Sequence, residues 1–428
     1  MAFMKFWFVY IFVFLSAGGH IQAQDDFVLN ANHSRKIPFK LINNVIVLPV
    51  EVNGVALSFL LDTGVSKPIV FNILNLEDSL QVKKSEKILL RGLGEGDHVE
   101  ALRSRGNVFK IGEVFNINQE LFIVHNQILN FEPRLGVPIH GIIGYDVFRD
   151  FVVQINYGKK YIRFYKPESF EPKPCNRCAE LDLEFYRNKP YLRGEVAIGS
   201  QKIPVKLLID TGGSDALWLF EDDSLGLVPD QPYFKDFLGH GLSGSVYGKR
   251  SKIAAFTLGE FTFHHANVSF PEASSISYVR EHKTRNGSVA GHILKRFNLY
   301  VDYPRKRLYL KKNRYYNEPF RYNRSGIELE KNGFMLIVGE QGGKTGEGLA
   351  LKPAFMVVEL RENSPAQQAG VKIGDVVLSV NDKASSEFTL QEITHKFYGD
   401  NGKKMRLVLD RDGQIIKMAF RLKSFFKE

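Results

Sequence analysis

The chain is expected to be mainly β: two similar β-barrel lobes related by a pseudo-two-fold axis, followed by a smaller α+β module. Three observations predict this. One series of strand, turn and short-helix patterns occurs twice in the same order, at an offset of ~146–149 residues. Within each copy, apolar residues alternate with polar ones at strand period and are interrupted by Gly, Asn and Pro turns. After about residue 325 the pattern changes to a helix-containing one. The 428 residues exceed what one ordinary core organises, and 44% apolar with 24% charged residues describes a folded globular chain rather than a disordered or membrane-embedded one.

At the amino terminus, Lys5 precedes an apolar run over residues 6–17, and "GGHIQAQDD" then supplies a polar boundary with the small residue Ala23 before Gln24. That order is a secretory signal, expected to span 1–23 and to be cleaved near Ala23. The run is shorter than the ~20 residues a membrane-spanning helix needs, so no stable membrane span is expected. An exported protein, periplasmic or secreted, follows as the expectation. The formal charge of +10 comes from scattered Lys and Arg with no dense basic arm, which argues against a nucleic-acid partner.

The repeat is visible by direct comparison. "VIVLPVEVNGVALSFLLDTGVSKPIVF" at 45–71 and "YLRGEVAIGSQKIPVKLLIDTGGSDALWLF" at 191–220 each read as strand, tight turn, second strand and Asp-Thr-Gly. "FKIGEVFNINQELFIV" at 109–124 corresponds to "FTLGEFTFHHANVSF" at 256–270, and "GIIGYDVFRDFVVQINYGKKYIRFYK" at 141–166 to "GSVAGHILKRFNLYVDYPRKRLYLKK" at 287–312. An internal duplication places lobe 1 at 38–167 and lobe 2 at 181–313. Between them, 168–180 is a Pro-rich linker holding Cys175 and Cys178, the only cysteines. In an oxidising compartment a local disulfide is the expected state; the strand and helix of a redox pair and the further ligands of a zinc site are both missing around them.

A lone Asp-Thr-Gly is weak evidence, because it also ends ordinary buried strands. Two copies 148 residues apart in duplicated surroundings are different. A strand fixes one end of each turn, Gly allows the bend, and Thr can bond across to a symmetric partner. An approximate two-fold would bring Asp62 and Asp210 together, with Thr63, Gly64, Ser66, Thr211, Gly212 and Ser214 as loop support. Over roughly 38–313 the chain resembles an aspartic protease of the retropepsin type, with two copies fused in tandem. Besides the Asp-Thr-Gly turns, the resemblance rests on Ile142-Ile143-Gly144 and Val289-Ala290-Gly291.

The resemblance implies catalysis by Asp62 and Asp210 in a cleft between the lobes, with no cofactor and no metal. Two adjoining carboxyl groups cannot both ionise cheaply; they share a proton and their apparent pKa values separate, the known behaviour of that family's dyad carried over to these residues. The hydroxyls at Ser66 and Ser214 come one position later than in pepsin-like enzymes, which predicts a pH optimum nearer neutral. Gly-rich stretches at 90–105 and 238–250 are flap candidates, with Gly94, Gly96, Gly244 and Tyr247 as their marked residues. His240, His264 and His265 read as surface or strand histidines.

The last segment, with "NSPAQQAGVKIGDVVLSVND", closely resembles a PDZ domain over 326–424. The resemblance implies a groove between a strand at 354–360 and a helix at 390–397, with Phe355, Met356, Val357, Val358, Leu390 and Ile393 as its residues. The sequence departs from the family in the loop before that strand, which is long and Gly-rich. The expected function is an exported aspartic endopeptidase, a monomer with an intramolecular pseudo-dimer, acting on polypeptide while the PDZ module binds or positions a peptide or C-terminus. Two alternatives stay open: a non-catalytic peptide-binding or adaptor protein retaining the fold, and halves that pair with another molecule.

Overall fold

The computed structural model describes residues 26–426 except 74–75, 77–79, 83–84, 97, 126–128, 173–174, 176–177, 278, 282–283 and 341–346. The expected export signal at 1–23 lies outside the described residues, as does part of the Gly-rich loop before the second PDZ strand. The protein is mostly β, and the strands of the described residues form four sheets.

In the first lobe, Val45–Val52 and Val55–Leu61 form an antiparallel hairpin through Asn53-Gly54, both at positive φ (49° and 87°). Consecutive left-handed residues match the twist of the strands they join, which is why Asn-Gly suits this position. Val55–Leu61 then pairs in parallel with Gly141–Ile143, which pairs antiparallel with Ile69–Val70. The second lobe repeats these relations. Lys189–Ile198 and Gln201–Asp210 form the hairpin, Gln201–Asp210 pairs in parallel with Gly287–Ala290, and that strand pairs antiparallel with Leu217–Leu219. Each lobe therefore threads its Asp-bearing strand beside a parallel neighbour and ends it at the same place.

The lobes do not stand as independent barrels. Each contributes one hairpin to a common six-stranded sheet, and the two hairpins meet along Val152–Asn156 and Phe297–Asp302, in register about Gln154 and Tyr300. The Gln154 amide donates to the Tyr300 hydroxyl at 2.9 Å. Every residue of Val152–Asn156 is buried, and one apolar core runs from Phe27 through Ile155 and Leu299 to Leu310. Cys178–Asp182 forms the outer strand of this sheet, so the segment read as linker ends inside a strand; Cys175 and Cys178 are disulfide-bonded.

The PDZ segment has a separate core, including Phe355, Val357, Ile393, Phe397 and Leu407. Its helix Leu390–Phe397 opens with a capping box between Thr389 and Glu392, which satisfies amides that the first turn leaves unpaired. Strand order is Ile327–Glu340, Glu347–Leu360, Val376–Val380, Lys404–Arg411, Gln414–Arg421. This corrects the expected groove. The strand at 354–360 is interior, paired on both sides, and Phe355, Val357, Leu390 and Ile393 are buried in the core. The edge strand beside Leu390–Phe397 is Ile327–Glu340.

Because the central sheet is common property, Leu299→Ala is expected to destabilise both lobes together by about 2–5 kcal/mol. Hydrogen exchange checks this: amides of Val45–Val52 and of Gln201–Asp210 should accelerate in step.

Candidate active site

Both Asp-Thr-Gly loops emerge at the seam between the lobes, and their threonines cross-bond. The Thr63 hydroxyl donates to the Ile209 carbonyl at 2.6 Å and accepts from the Thr211 amide at 3.2 Å. Reciprocally, the Thr211 hydroxyl donates to the Leu61 carbonyl at 2.7 Å and accepts from the Thr63 amide at 3.1 Å. Both side chains are fully buried. Each hydroxyl uses donor and acceptor capacity on the opposite lobe, so the residues immediately before and after Asp62 and Asp210 are tied together in one place.

Gly212 makes the neighbourhood of the carboxyl groups explicit. Its amide bonds to Asp210, and a Cβ added to it would lie 2.5 Å from both Cγ and Oδ2 of Asp62. No side chain fits between them. Asp62 also accepts from the Gly64 amide at 2.7 Å, and Asp210 from the Gly213 amide at 2.8 Å. Gly144 and Gly291, which directly follow the strands Gly141–Ile143 and Gly287–Ala290, pack under these loops: an added Cβ would meet the Asp62 carbonyl oxygen at 2.0 Å at the first and the Asn44 carbonyl oxygen at 2.4 Å at the second.

Electrostatics follow from this crowding. Burial, then the charge of Asp210, pushes the Asp62 carboxyl up to about 7. Asp210 is likewise raised by burial, while Arg285, the amides of Gly213 and Gly212, and Lys189 pull it back. Burial holds both Arg285 and Lys189 below their usual ranges. Arg285 is anchored to the Ser288 hydroxyl at 2.7 Å and the Gly287 carbonyl at 3.1 Å. The pair of carboxyl groups therefore favours holding a proton near neutral pH, with two poorly solvated cations nearby to oppose it.

Sequence reasoning missed Lys189, Arg285 and the turns that brace the Asp loops. Asn43-Asn44 and Arg187-Asn188 all have positive φ, at equivalent places in the two lobes. The Asn44 amide donates to the Ser214 carbonyl at 2.8 Å, and the Ser66 hydroxyl donates to the Arg187 carbonyl at 3.2 Å. Ser66 thus bonds to the opposite lobe's turn. The repeated hairpin-turn position was a usable signal; the nearness of Arg285 was not, because it needs the fold.

The flap candidates meet tip to tip. Gly94 and Gly96 lie between strands Ser85–Leu90 and Val99–Ile111, and Gly244 lies at the turn joining Phe234–Gly241 to Gly244–Lys252. The Gly96 amide donates to the Ser243 carbonyl at 2.7 Å, the Ser243 amide to the Leu93 carbonyl at 2.8 Å, and the Gly94 amide to the Ser275 carbonyl at 3.0 Å. Tyr247 points elsewhere: its hydroxyl donates to Glu359 of the PDZ segment at 3.1 Å. Among the described residues, no group of three or more His, Cys, Asp or Glu is arranged to hold a metal ion, and no helix is long and apolar enough to cross a membrane.

Two measurements test this arrangement. Thr63→Val leaves the buried Thr211 amide and Ile209 carbonyl without their partner and is expected to cost about 2–4 kcal/mol in urea unfolding, whereas Thr63→Ser should retain most stability. The second concerns pH. A carboxyl whose native pKa lies above its unfolded value binds more protons in the native state, so stability falls as pH rises from about 4 to about 7. Asp62→Asn is therefore expected to be more stable than the parent at pH 8, by about 1–3 kcal/mol, with the difference vanishing toward pH 4.

Residues 48–147 match the family model described as an aspartyl protease, and residues 356–411 match the one described as a PDZ domain. The first match holds Asp62-Thr63-Gly64 and Ile142-Ile143-Gly144; the second lobe lies outside it. No curated protein matches the chain. The protein is thus a mostly β chain that carries an aspartyl protease domain and, after it, a PDZ domain.

Proposed function

We propose that the chain is an exported aspartic endopeptidase in which Asp62 and Asp210 form one catalytic dyad, assembled within a single molecule from duplicated lobes. The observation that carries this reading is the reciprocal Thr63 and Thr211 bonding, which brings the two Asp loops onto one floor. The raised pKa values of both carboxyl groups support it as well. Export is the proposal of the amino-terminal sequence alone.

The chemistry needs one proton on the pair. The ionised carboxylate takes a proton from a water, whose oxygen attacks the scissile carbonyl carbon, while the protonated partner donates to the carbonyl oxygen. The tetrahedral diol then collapses: the C–N bond breaks, the amine leaves with the proton that the first carboxylate took from water, a diol hydroxyl returns its proton to the other carboxylate, and the acid product retains the water oxygen while the pair again holds one proton. The amides of Gly64 and Gly213 fix the two carboxyl groups, and their opposite loops position them without a covalent intermediate. The glycine loop at 91–98 and the tip at 241–244 serve as paired flaps, which a substrate must part. Arg285 and Lys189 keep the pair from becoming wholly protonated at neutral pH, since burial left unopposed would remove the carboxylate that acts as base.

Incubation of the mature chain with a diverse peptide mixture across pH tests the proposal. Cleavage inhibited by pepstatin is expected, with kcat/KM declining above about pH 7 as the shared proton is lost. Asp62→Asn and Asp210→Asn should each reduce turnover by at least ~10³-fold in a monomeric chain. An optimum only near pH 2, or full activity in either variant, would overturn the assignment; absence of cleavage would leave a peptide-binding protein in its place.

A further inference from the structure

The edge of Ile327–Glu340 beside the helix Leu390–Phe397 is the place in the PDZ segment where an extended chain could be added. That place is already taken. The first lobe sends a short helical segment, Glu132–Leu135, against this strand, and it is secured at both sides of the groove. On the strand side, Lys331 donates to Glu132 at 2.7 Å and Arg134 pairs with Glu330 at 2.5 Å. On the helix side, the Gln391 amide donates to the Leu135 carbonyl at 2.5 Å.

Gly136 closes the segment at φ 68°, and a Cβ there would lie 3.2 Å from the Leu390 Cβ. Both the left-handed backbone and the lack of space select glycine. The exposures of the paired charges are 23% and 22% for Arg134 and Glu330, and 19% and 27% for Lys331 and Glu132. These are not freely solvated surface pairs, for which little stabilisation would be expected.

The same segment is continuous with the flap apparatus. Phe131, Leu135 and Val137 pack on a cluster containing Val99, Ala101, Leu60 and Ile69, and Leu242 from the second flap tip joins that cluster. Arg134 lies 4.0 Å over the Phe237 ring, on the second flap's first strand, and Phe237 packs edge-on against Tyr247 at 5.6 Å. Tyr247 in turn bonds to Glu359 of the PDZ segment. One short stretch of the first lobe therefore touches the PDZ groove, the first flap's base and the second flap's strand.

We propose that residues 131–137 occupy the PDZ peptide groove in cis, so that the groove is closed by the protease's own first lobe and a peptide entering it must displace a segment that braces both flaps. The idea rests on the protease and PDZ reading above and adds the groove's occupant. Binding at the PDZ segment and mobility of the flaps are two readings of one equilibrium: a ligand shifts it only by binding the displaced state more tightly than the docked one. The cis segment acts at an effective concentration of about millimolar order, so a weak contact suffices to hold it and a modest competitor suffices to release it.

The test uses the full mature chain and a labelled peptide of residues 129–138. The variant Glu132→Lys/Arg134→Glu sets like charges against Lys331 and Glu330 and should open the groove. The peptide is expected to bind this variant at least ten-fold more tightly than the parent chain. Amide exchange at 327–333 and 234–252 should accelerate at least ten-fold, with 45–61 unchanged. Adding Glu330→Arg and Lys331→Glu restores opposite charges and should return exchange to the parent rate. Equal peptide binding by parent and variant, including none by either, or exchange unaltered at 234–252, would overturn the proposal. None of these readouts needs turnover: a chain that cleaves nothing still reports on the groove, and an active dyad with unaltered exchange removes only this inference.

Discussion

Two threonine hydroxyls, each wholly buried and each bonded twice to the opposite lobe, are the constraint around which the molecule is organised. Their bonds run between residues nearly 150 positions apart, so forming them requires the whole of both lobes to be in place. Once made, they leave the preceding carboxyl groups no separate location. The cost of crowding two acidic groups in a poorly solvated space is accepted because the threonine crossing, the amides of Gly64 and Gly213 and the common sheet hold the backbone there. Strain of this sort, charge placed where charge is unfavourable, is what a proton-sharing pair needs.

The symmetry of this floor is broken around its edges, and the breaks have a common direction. Lobe 1 follows its bracing turn with Val45, whereas lobe 2 follows its own with Lys189. Arg285 comes from lobe 2, and the hairpin tied to the PDZ segment through Tyr247 is also lobe 2's. The buried Arg250, on that same hairpin, bonds to Asp215 of the second Asp loop at 2.9 Å and to Asp236 at 2.8 Å. Asp236 in turn raises the pKa of Glu328 in the PDZ segment, after burial itself, to about 7. Lobe 2 thus carries polar connections from the PDZ side to the loop that follows Asp210, and lobe 1 supplies the segment that fills the PDZ groove.

Much of this was legible before any coordinates. The mainly β class, the twofold recurrence and the two Asp-Thr-Gly turns follow from period-two alternation and from turn residues with defined backbone preferences, which are local properties. The groove was not. Residues 354–360 have the apolar character of a strand in a PDZ core, and that character does not distinguish a strand with a free edge from one paired on both sides. The sheet's outer edge was hidden for a related reason: Cys178–Asp182 reads as polar and unremarkable, yet it completes the outer edge of the common sheet.

By itself, the amino-acid sequence determined the strands, their turns, the glycines at the Asp loops and the repetition that implies a pair of carboxyl groups, since each depends on neighbours within a few positions. Tertiary structure alone decided which edges stay free, that the lobes share a sheet, that the charges of Lys189 and Arg285 act on the two aspartates, and that residues 131–137 lie in the PDZ groove. The physical reason is that edge pairing, desolvation and ion-pair geometry are set by partners distant in the chain, and no local pattern of residue types encodes where those partners will be.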